Sequence, residues 1–411
     1  MNPIPGVSPP RPVEPRARFL VELARALGTY GTSSNRLEEV IAVCADEMGL
    51  SAQTFNTPTS VFVSVESDEG FATYLARVTP GEADLTKLMG LDRVFNRVIL
   101  HHLSPEDGTA EIKRIVKMAP RYPAWMLVIA FGVVSGCAGH FLGGGVKEMI
   151  GSAVIGLVVG VLVLFTGKRR EFSRLMEFLS GLSAALISGM LAVPMGGYMP
   201  SVAAIAGIII LLPGLTLTIA MVELATKHVV SGTARLAGAI MVLMVTGFGI
   251  VIGQSIVNQV VGDRAIVLAE PMGWYVDLVS VLIATVCMAI LFQAHFRHAW
   301  VMVVAGVLSF YSARYGTAMF GPEIGVLGAS MIVGVASNLY ARVFDRPSLT
   351  MMLPGLLMLV PGSLGLRSLQ LFMNSDTVDG VQSTFTVLVV GVALVVGLLL
   401  SNVILPPRKV L

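Results

Sequence analysis

The chain has 411 residues, of which 55% are hydrophobic and only 13% are charged. The charged share of a soluble domain is about 25%. The formal net charge of +2 is uninformative, and nothing in the sequence suggests nucleic acid, so we expect no nucleic-acid partner. The three cysteines, Cys44, Cys137 and Cys287, are too far apart for a disulfide framework or metal-ligand spacing. The sequence therefore predicts no metal and no cofactor.

The charge is distributed unevenly along the chain. Residues 1–120 hold 27 of the 54 charged residues, so a segment of ordinary soluble composition precedes a long, charge-poor and glycine-rich one. The proline-rich residues 1–15 are typical of a disordered tail. No apolar core of a signal peptide is found in the first thirty residues.

Residues 16–120 are predicted to form a cytoplasmic α+β domain. Helical periodicity covers residues 16–29 and 34–49, and Ser34 or Asn35 is expected to cap the second helix. Three alternating runs, AQTFNT, SVFVSVE and ATYLARV, predict strands. Two further helical patterns follow, and Ser104 with Pro105 is a typical start for the second. The domain is expected to end at the prolines of MAPRYPAW.

The rest of the chain is predicted to cross the membrane repeatedly. Most of its apolar segments reach the roughly 20 residues that a spanning helix needs, and pairs of glycines four residues apart favour close helix packing. Ten such segments can be counted: 124–142, 148–166, 174–193, 200–224, 233–257, 272–293, 299–314, 322–344, 348–371 and 381–405.

Lysine and arginine placement predicts the orientation. With the N-terminal domain in the cytoplasm, twelve Lys/Arg residues of the membrane part fall on the inside and four on the outside. We therefore expect a multi-pass protein of the cell (plasma) membrane with both termini in the cytoplasm.

Two of the apolar segments are interrupted by a Pro-Gly step. One interruption is LLPG at 211–214, and the other is LVPG at 359–362, with MLPG just before it at 352–355. Ten spans divide into five within residues 121–262 and five within 263–411, and an odd number per half requires the halves to be inverted. Inverted repeats with broken helices are common in secondary transporters, which hold substrate where the breaks meet. The simpler alternative, a proline kink, remains open for each break alone.

A broken helix presents amides and carbonyls that lipid cannot satisfy, and its new N-terminus suits an anionic group. We therefore predict that the residues at and just after the two breaks bind substrate. They are Pro213, Gly214, Thr216, Thr218, Pro361, Gly362, Ser363 and Arg367.

Three carboxylates in or near the spans are candidates for carrying a coupling proton: Glu223, Asp277 and Glu323. Glu148 also begins a span. Taken singly, each of these acids is more often a solvated charge at the membrane interface, and this is the expectation for each one.

The N-terminal runs GTSSNRLEEVIAVCADEMGL, TFNTPTSVFVSV and RVTPGEADLTKLMGLDRV resemble the cytoplasmic domain of the threonine/serine exporter family. LLPGLTLTIAMVELATKHVVSGTARL is similar to the segment that ends the first membrane half of that family. LVPGSLGLRSL is similar to its second-half motif. The resemblance extends from about residue 16 to residue 405.

The resemblance implies export of a small polar metabolite, threonine or serine, driven by the proton motive force. Relatives that split the two halves into separate chains are linked to dicarboxylate export. This chain departs from the family at two acids. Glu223 stands where an Asp is frequent, and Lys147 precedes Glu148 in LGGGVKE, where the family commonly has an Asp.

The overall prediction is an α-helical polytopic membrane protein with ten transmembrane helices as two inverted five-helix repeats and an N-terminal soluble α+β domain. Its partners would be a small-molecule substrate and the lipid bilayer, with a homo-oligomer left open. The alternatives are an exporter of a dicarboxylate such as succinate, or a membrane sensor or enzyme with a ligand-binding soluble domain. We do not expect the protein to be an enzyme, because the sequence contains no GxSxG, HExxH, CxxC or Walker-type motif.

Overall fold

The computed structural model describes residues 14–67, 70–81, 83–167, 170–196, 198–262, 272–359, 365–366 and 377–407. The chain divides into two compact units, with the boundary between Ala119 and Pro120.

The N-terminal unit combines four helices with a three-stranded antiparallel sheet in the order β1-β2-β3. Its elements are α1 (Pro15–Thr29), α2 (Ser34–Glu47), β1 (Ala52–Thr57), β2 (Ser60–Ser67), β3 (Gly70–Arg77), α3 (Leu85–Ile99) and α4 (Pro105–Val116). The central strand β2 buries Val61, Val63 and Val65, because alternate side chains of a strand point to the same face. The helices cover this face, while Phe55 and Phe71 remain exposed.

Capping side chains were predicted for the starts of two helices in this unit, α2 and α4. Ser104 accepts a hydrogen bond from the Asp107 amide at 3.1 Å, so the predicted start of α4 is confirmed. For α2 the prediction is wrong, because the helix begins at Ser34 after Ser33 and has no side-chain cap. The Ser34 hydroxyl is instead buried and accepts a hydrogen bond from Asn56 Nδ2 at 3.2 Å.

The second unit is helical. Its helices are α5 (Ala124–Phe141), α6 (Val146–Thr166), α7 (Arg170–Ser173), α8 (Met176–Met195), α9 (Pro200–Gly207), α10 (Gly214–Ala225), α11 (Val229–Val261), α12 (Trp274–Leu291), α13 (Ala299–Phe320), α14 (Pro322–Phe344), α15 (Leu349–Leu359) and α16 (Thr377–Ile404). Within the described residues, eight helices are long and apolar enough to cross a membrane, and a bent pair makes up to nine. The protein is therefore a polytopic α-helical membrane protein.

The ninth apolar segment, 348–371, is described only in part. Its first portion forms α15, which has 11 residues, and most of its remainder lies outside the described residues. The seventh segment is longer than its predicted 16 residues, because α13 continues to Phe320 and has 22 residues.

Glycines allow α5 and α6 to pack closely. A Cβ at Gly132 would lie 2.7 Å from Leu157, and one at Gly156 would lie 2.6 Å from the Phe131 carbonyl oxygen. Two other glycines of the predicted pairs have a different role. Gly143 and Gly321 have φ values of +86° and +88° and form the turns between helices, where the left-handed conformation favours glycine.

The helices before and after residue 263 pack in the same pairwise order. In the first set, α6 packs against α5, α8 and α9, and α8 packs against α9 and α11. In the second set, α13 packs against α12, α14 and α15, and α14 packs against α15 and α16. The broken segment itself contacts the second set, because α10 packs against α15 and α16.

Candidate functional site

The apolar segment at residues 200–225 is broken in the structure. Pro200–Gly207 and Ile209–Ala225 meet at an angle of 51°. A short 3₁₀ turn at Ile209–Leu211 follows α9, and α10 begins at Gly214 with Pro213 at the N-cap position. Proline has no amide to donate, so a helix is readily interrupted at this point.

Two serines of neighbouring helices bond backbone carbonyl groups near Pro-Gly motifs. At the end of α9, before the break at Pro213, the Gly207 oxygen accepts a hydrogen bond from Ser135 Oγ of α5 at 3.0 Å. In α15, which continues through the Pro354-Gly355 motif, the Gly355 oxygen accepts one from Ser309 Oγ of α13 at 2.6 Å. Both serines are fully buried. Inside a bilayer, carbonyl groups need such partners within the protein.

The N-terminus of α10 presents open hydrogen-bonding groups. The Gly214 amide donates to Leu212 at 2.7 Å, but in the described residues the amides of Leu215 and Thr216 have no partner. The hydroxyl of Thr218, a residue that is only 3% exposed, also has none there. Thr216 is half-buried. Unpaired amides at a positive helix end, with a buried hydroxyl one turn later, suit a small ligand that carries a carboxylate.

The second break lies outside the described residues, and with it Pro361, Gly362, Ser363 and Arg367. Leu366, which is described, is fully buried. It belongs to the same buried hydrophobic cluster as Leu212 and Leu217, which flank the first break. Leu366 therefore belongs to the core that surrounds the first Pro-Gly step.

Glu223 lies near the end of α10 and forms an ion pair. Both of its carboxylate oxygens accept from Arg235 Nε of α11, at 3.1 and 3.0 Å. The side chain of Glu223 is fully buried, and that of Arg235 is 9% exposed. The expectation of a solvated interfacial charge is therefore wrong for Glu223, because the next helix folds back and supplies a guanidinium.

Asp277 joins three helices. Its Oδ1 lies 2.8 Å from His140 Nε2 of α5, and its Oδ2 accepts from Arg314 Nη1 of α13 at 2.7 Å. Asp277 and His140 are buried, whereas the Arg314 side chain is 55% exposed. The interfacial expectation is wrong for this acid too, because α5, which is distant in sequence, and the following helix α13 enclose it.

The other two acids differ from these. Glu323 is half-buried in the first turn of α14. Glu148 is buried and accepts hydrogen bonds from the amides of Gly145 and Met199, each at 2.8 Å. It therefore caps α6 and fixes the chain just before α9, so the expected solvated position is wrong.

Sequence reasoning did not identify His140, Arg235, Arg314 or Ser135 as site residues. Arg235 is one of the twelve Lys/Arg residues counted on the inside and Arg314 one of the four counted on the outside, but no local pattern pairs them with an acid. A serine or histidine within an apolar helix has no distinctive local pattern either. In the described residues, no group of three His, Cys, Asp or Glu side chains could hold a metal ion.

A bundle of apolar helices with a broken span and buried ion pairs is a polytopic membrane protein with features that are common in transporters. The particular family is given by sequence comparison. A model of the threonine/serine exporter family, ThrE, matches residues 18–257, and a second model of it, ThrE_2, matches residues 277–404. The chain belongs to the threonine/serine exporter family.

The chain is also similar to curated fungal proteins. It is 25% identical over 369 residues to an uncharacterized protein of Schizosaccharomyces pombe, covering 85% of this chain and 43% of that one. It is 25% identical over 377 residues to pheromone-regulated membrane protein 10 of Candida albicans, covering 89% and 34%. For the protein of that name in Saccharomyces cerevisiae, the identity is 25% over 419 residues, covering 95% and 54%. The chain thus spans a third to about half of these relatives. No solved structure matches it.

Proposed function

We propose that this protein is a secondary transporter that exports a small polar metabolite, threonine or serine, driven by the proton motive force. The N-terminus of α10 carries this proposal. Its unpaired amides and the partnerless Thr218 hydroxyl match the carboxylate and the polar remainder of such a substrate. Family membership gives independent support for export.

We propose ten spans in two inverted halves, at residues 121–262 and 263–411, with the N-terminal domain and both termini in the cytoplasm of the plasma membrane. The repeated pairwise packing of the two helix sets supports this arrangement. Pairing of α10 with α15 and burial of Leu366 beside Leu212 support a substrate site at the meeting of the breaks. Pro213, Gly214, Thr216, Thr218, Pro361, Gly362, Ser363 and Arg367 would form that site.

We propose Glu223 and Asp277 as the coupling carboxylates, with Glu323 as the next candidate. An acid paired with arginine can take part in coupling if protonation releases its partner and frees the helix that the pair holds. Glu223 ties α10 to α11, and Asp277 ties α12 to α5 and α13. Separation of either ion pair would loosen the helix that carries the acid.

Transport by the purified full chain in proteoliposomes tests the function. With an imposed pH gradient, labelled threonine or serine should accumulate, and labelled succinate should not. Accumulation of succinate alone would identify a dicarboxylate exporter. A gradient that moves none of the three solutes would contradict export of these substrates.

Thr218→Val tests the site. Valine keeps the volume and removes a hydroxyl that has no partner, so the fold should keep its stability while transport falls about tenfold, the cost of about one hydrogen bond to a charged group. Thr285→Val is the matched control, because the Thr285 hydroxyl is buried and bonded within α12, to the Val281 oxygen. Equal transport by both variants would show that Thr218 does not bind the substrate.

Coupling is tested with Glu223→Gln and Asp277→Asn. Each should abolish accumulation driven by the pH gradient while leaving binding of labelled substrate detectable. If both variants still accumulate substrate at the wild-type level, the coupling acid lies elsewhere and Glu323→Gln is measured next.

A further inference from the structure

One end of the helical unit carries a cluster of positive side chains from three connections. Arg121 precedes α5, Arg297 lies between α12 and α13, and Arg346 lies between α14 and α15. Two histidines, His295 and His298, belong to the same connection as Arg297, and their ring centroids are 6.3 Å apart. The proposed transport site uses none of these five residues.

Hydrogen bonds hold the chain before α5 against the connection between α12 and α13. The amides of Arg121 and Tyr122 donate to Gln293 Oε1 at 2.8 and 3.1 Å. The Tyr122 hydroxyl donates to the Ala294 carbonyl oxygen at 2.6 Å. Arg121 is therefore fixed beside the connection that carries Arg297, although the two residues are far apart in sequence.

The three arginines act on the two histidines. His295 interacts electrostatically with Arg121 and Arg297, and His298 interacts with Arg297 and Arg346. Loss of hydration, together with the charges of Arg121 and Arg297, lowers the pKa of His295. His295 Nδ1 accepts from the Arg297 amide at 3.2 Å, so its Nε2 is left as the donor. The cluster thus presents N–H donors and disfavours any further positive charge.

Negative charge is scarce around this cluster. In the described residues, the guanidinium groups of Arg297 and Arg346 form no ion pair, and that of Arg121 reaches only the Tyr122 hydroxyl. One acid, Asp345, adjoins these arginines in sequence, which is a single negative charge for three guanidinium groups. Like charges that are held close together repel. An anion from outside the chain would therefore stabilise this arrangement.

Exposed aromatic side chains lie at the same end of the helices. Trp125 is in the first turn of α5, Trp300 is in the first turn of α13, and Phe344 is the last residue of α14. All three are exposed, and the rings of Trp300 and Phe344 are in contact, with centroids 5.5 Å apart. Tryptophan is enriched where the hydrocarbon of a bilayer meets the headgroups. This places the arginines, just beyond the helix ends, at the level of the phosphates.

We propose that this cluster binds the phosphate headgroup of an anionic phospholipid. The phosphate oxygens accept from Arg297 and Arg346, because a planar guanidinium suits phosphate, and from His295 Nε2. Arg121 adds a third positive charge. The acyl chains lie along the exposed aromatic rings at the ends of α13 and α14. By offsetting the repulsion, the lipid holds three connections together. The inference does not depend on which solute the protein transports.

Native mass spectrometry of the purified full chain in detergent tests this site. The probes are phosphatidylglycerol and phosphatidylcholine with identical acyl chains, of which only the first has a net negative charge. The first phosphatidylglycerol should bind at least about tenfold more tightly than the first phosphatidylcholine, because several cations face its phosphate. Equal affinity for the two lipids would contradict the proposal.

Arg297→Gln and Arg346→Gln should each weaken phosphatidylglycerol binding by about fivefold, the effect of one cation near an anionic lipid. Binding of phosphatidylcholine should not change. Arg297 is exposed, so its replacement leaves the fold intact. Arg297→Lys, which keeps the charge but loses the planar fork, should lose less than Arg297→Gln.

Arg174→Gln is the matched control. Arg174 is an exposed arginine of the same unit, in the connection between α7 and α8, and its replacement removes the same charge. Phosphatidylglycerol affinity should be unchanged in this variant. A loss equal to that of Arg297→Gln would mean a general attraction between anionic lipid and a positive surface, without a site.

Two other measurements separate this site from its alternatives. Displacement of phosphatidylglycerol by millimolar inorganic phosphate would identify a soluble anion as the ligand and refute the lipid. A chain that binds phosphatidylglycerol through Arg297 and Arg346, but moves neither threonine nor serine in proteoliposomes, would refute the proposed function and leave the lipid site intact.

Discussion

Glu223 and Asp277 are both buried acids paired with an arginine of a neighbouring helix, yet their surroundings differ. Arg235, the partner of Glu223, is 9% exposed, whereas Arg314, the partner of Asp277, is 55% exposed. Asp277 also contacts His140 of α5, whose side chain is 8% exposed. The comparison shows that burial of the cation, rather than of the acid, distinguishes the two sites.

The difference has a physical consequence. An enclosed pair resists separation, because parting it leaves a charge without water or partner. A pair with one exposed member separates more easily, because the cation keeps its hydration. We therefore interpret the Glu223 pair as a clamp between α10 and α11 that opens only when the acid is neutralised, and the Asp277 cluster as a contact that separates more readily.

The largest effect is expected from Arg235→Ala. It removes the guanidinium from a fully buried carboxylate, which should cost about 3–5 kcal/mol of stability. Thermal unfolding of the purified protein in detergent measures this loss. The double variant Arg235→Met with Glu223→Gln removes both charges and should recover much of the stability. If Arg235→Ala is as stable as wild type, the Glu223–Arg235 pair contributes nothing to the stability of the fold.

An intermediate effect is expected from Asp277→Asn. The neutral amide weakens the bonds to His140 and Arg314, which should cost about 1–3 kcal/mol. Arg314→Gln is the control, and it should cost only about 0–1 kcal/mol because the guanidinium is largely solvated. Thermal unfolding again provides the measurement. If Arg314→Gln is as damaging as Arg235→Ala, exposure of the cation does not distinguish the sites.

The smallest effect on stability is expected from His140→Gln, because an amide can retain a hydrogen bond to Asp277. The loss should be at most about 1 kcal/mol, since one hydrogen bond is largely kept. Thermal unfolding in detergent measures it. A loss as large as that of Asp277→Asn would show that the imidazole contributes more than this one hydrogen bond.

Local patterns predicted much of the secondary structure. β1 covers the alternating run AQTFNT, and α14 has the bounds of its apolar segment, 322–344. Such patterns are local, since they depend only on the spacing of apolar residues. The prediction was weaker where a tertiary contact determines the local structure. At the start of α2, the Ser34 hydroxyl accepts a hydrogen bond from Asn56 instead of capping the helix.

The same distinction applies to the candidate site. The Pro-Gly step at Pro213 was readable from the sequence, and α10 begins directly after it at Gly214. The bend itself lies earlier in the chain, between Gly207 and Ile209, and was not predicted. The partners of the acids were not readable, because His140 lies 137 positions from Asp277 and no local signal links them. Glu148 looked like an interfacial charge, yet it is buried because a loop 51 residues later supplies the Met199 amide.

Helix α11 is longer than a simple span requires. Its 33 residues extend about 50 Å at about 1.5 Å per residue, and the hydrocarbon core is about 30 Å thick. A helix with such an excess tilts or extends beyond the core, and its tilt responds to the thickness of the surrounding lipid. Because Arg235 near one end of α11 holds Glu223 of α10, a change in tilt reaches the broken helix directly. We therefore expect a thicker or thinner bilayer to change the geometry of the first break.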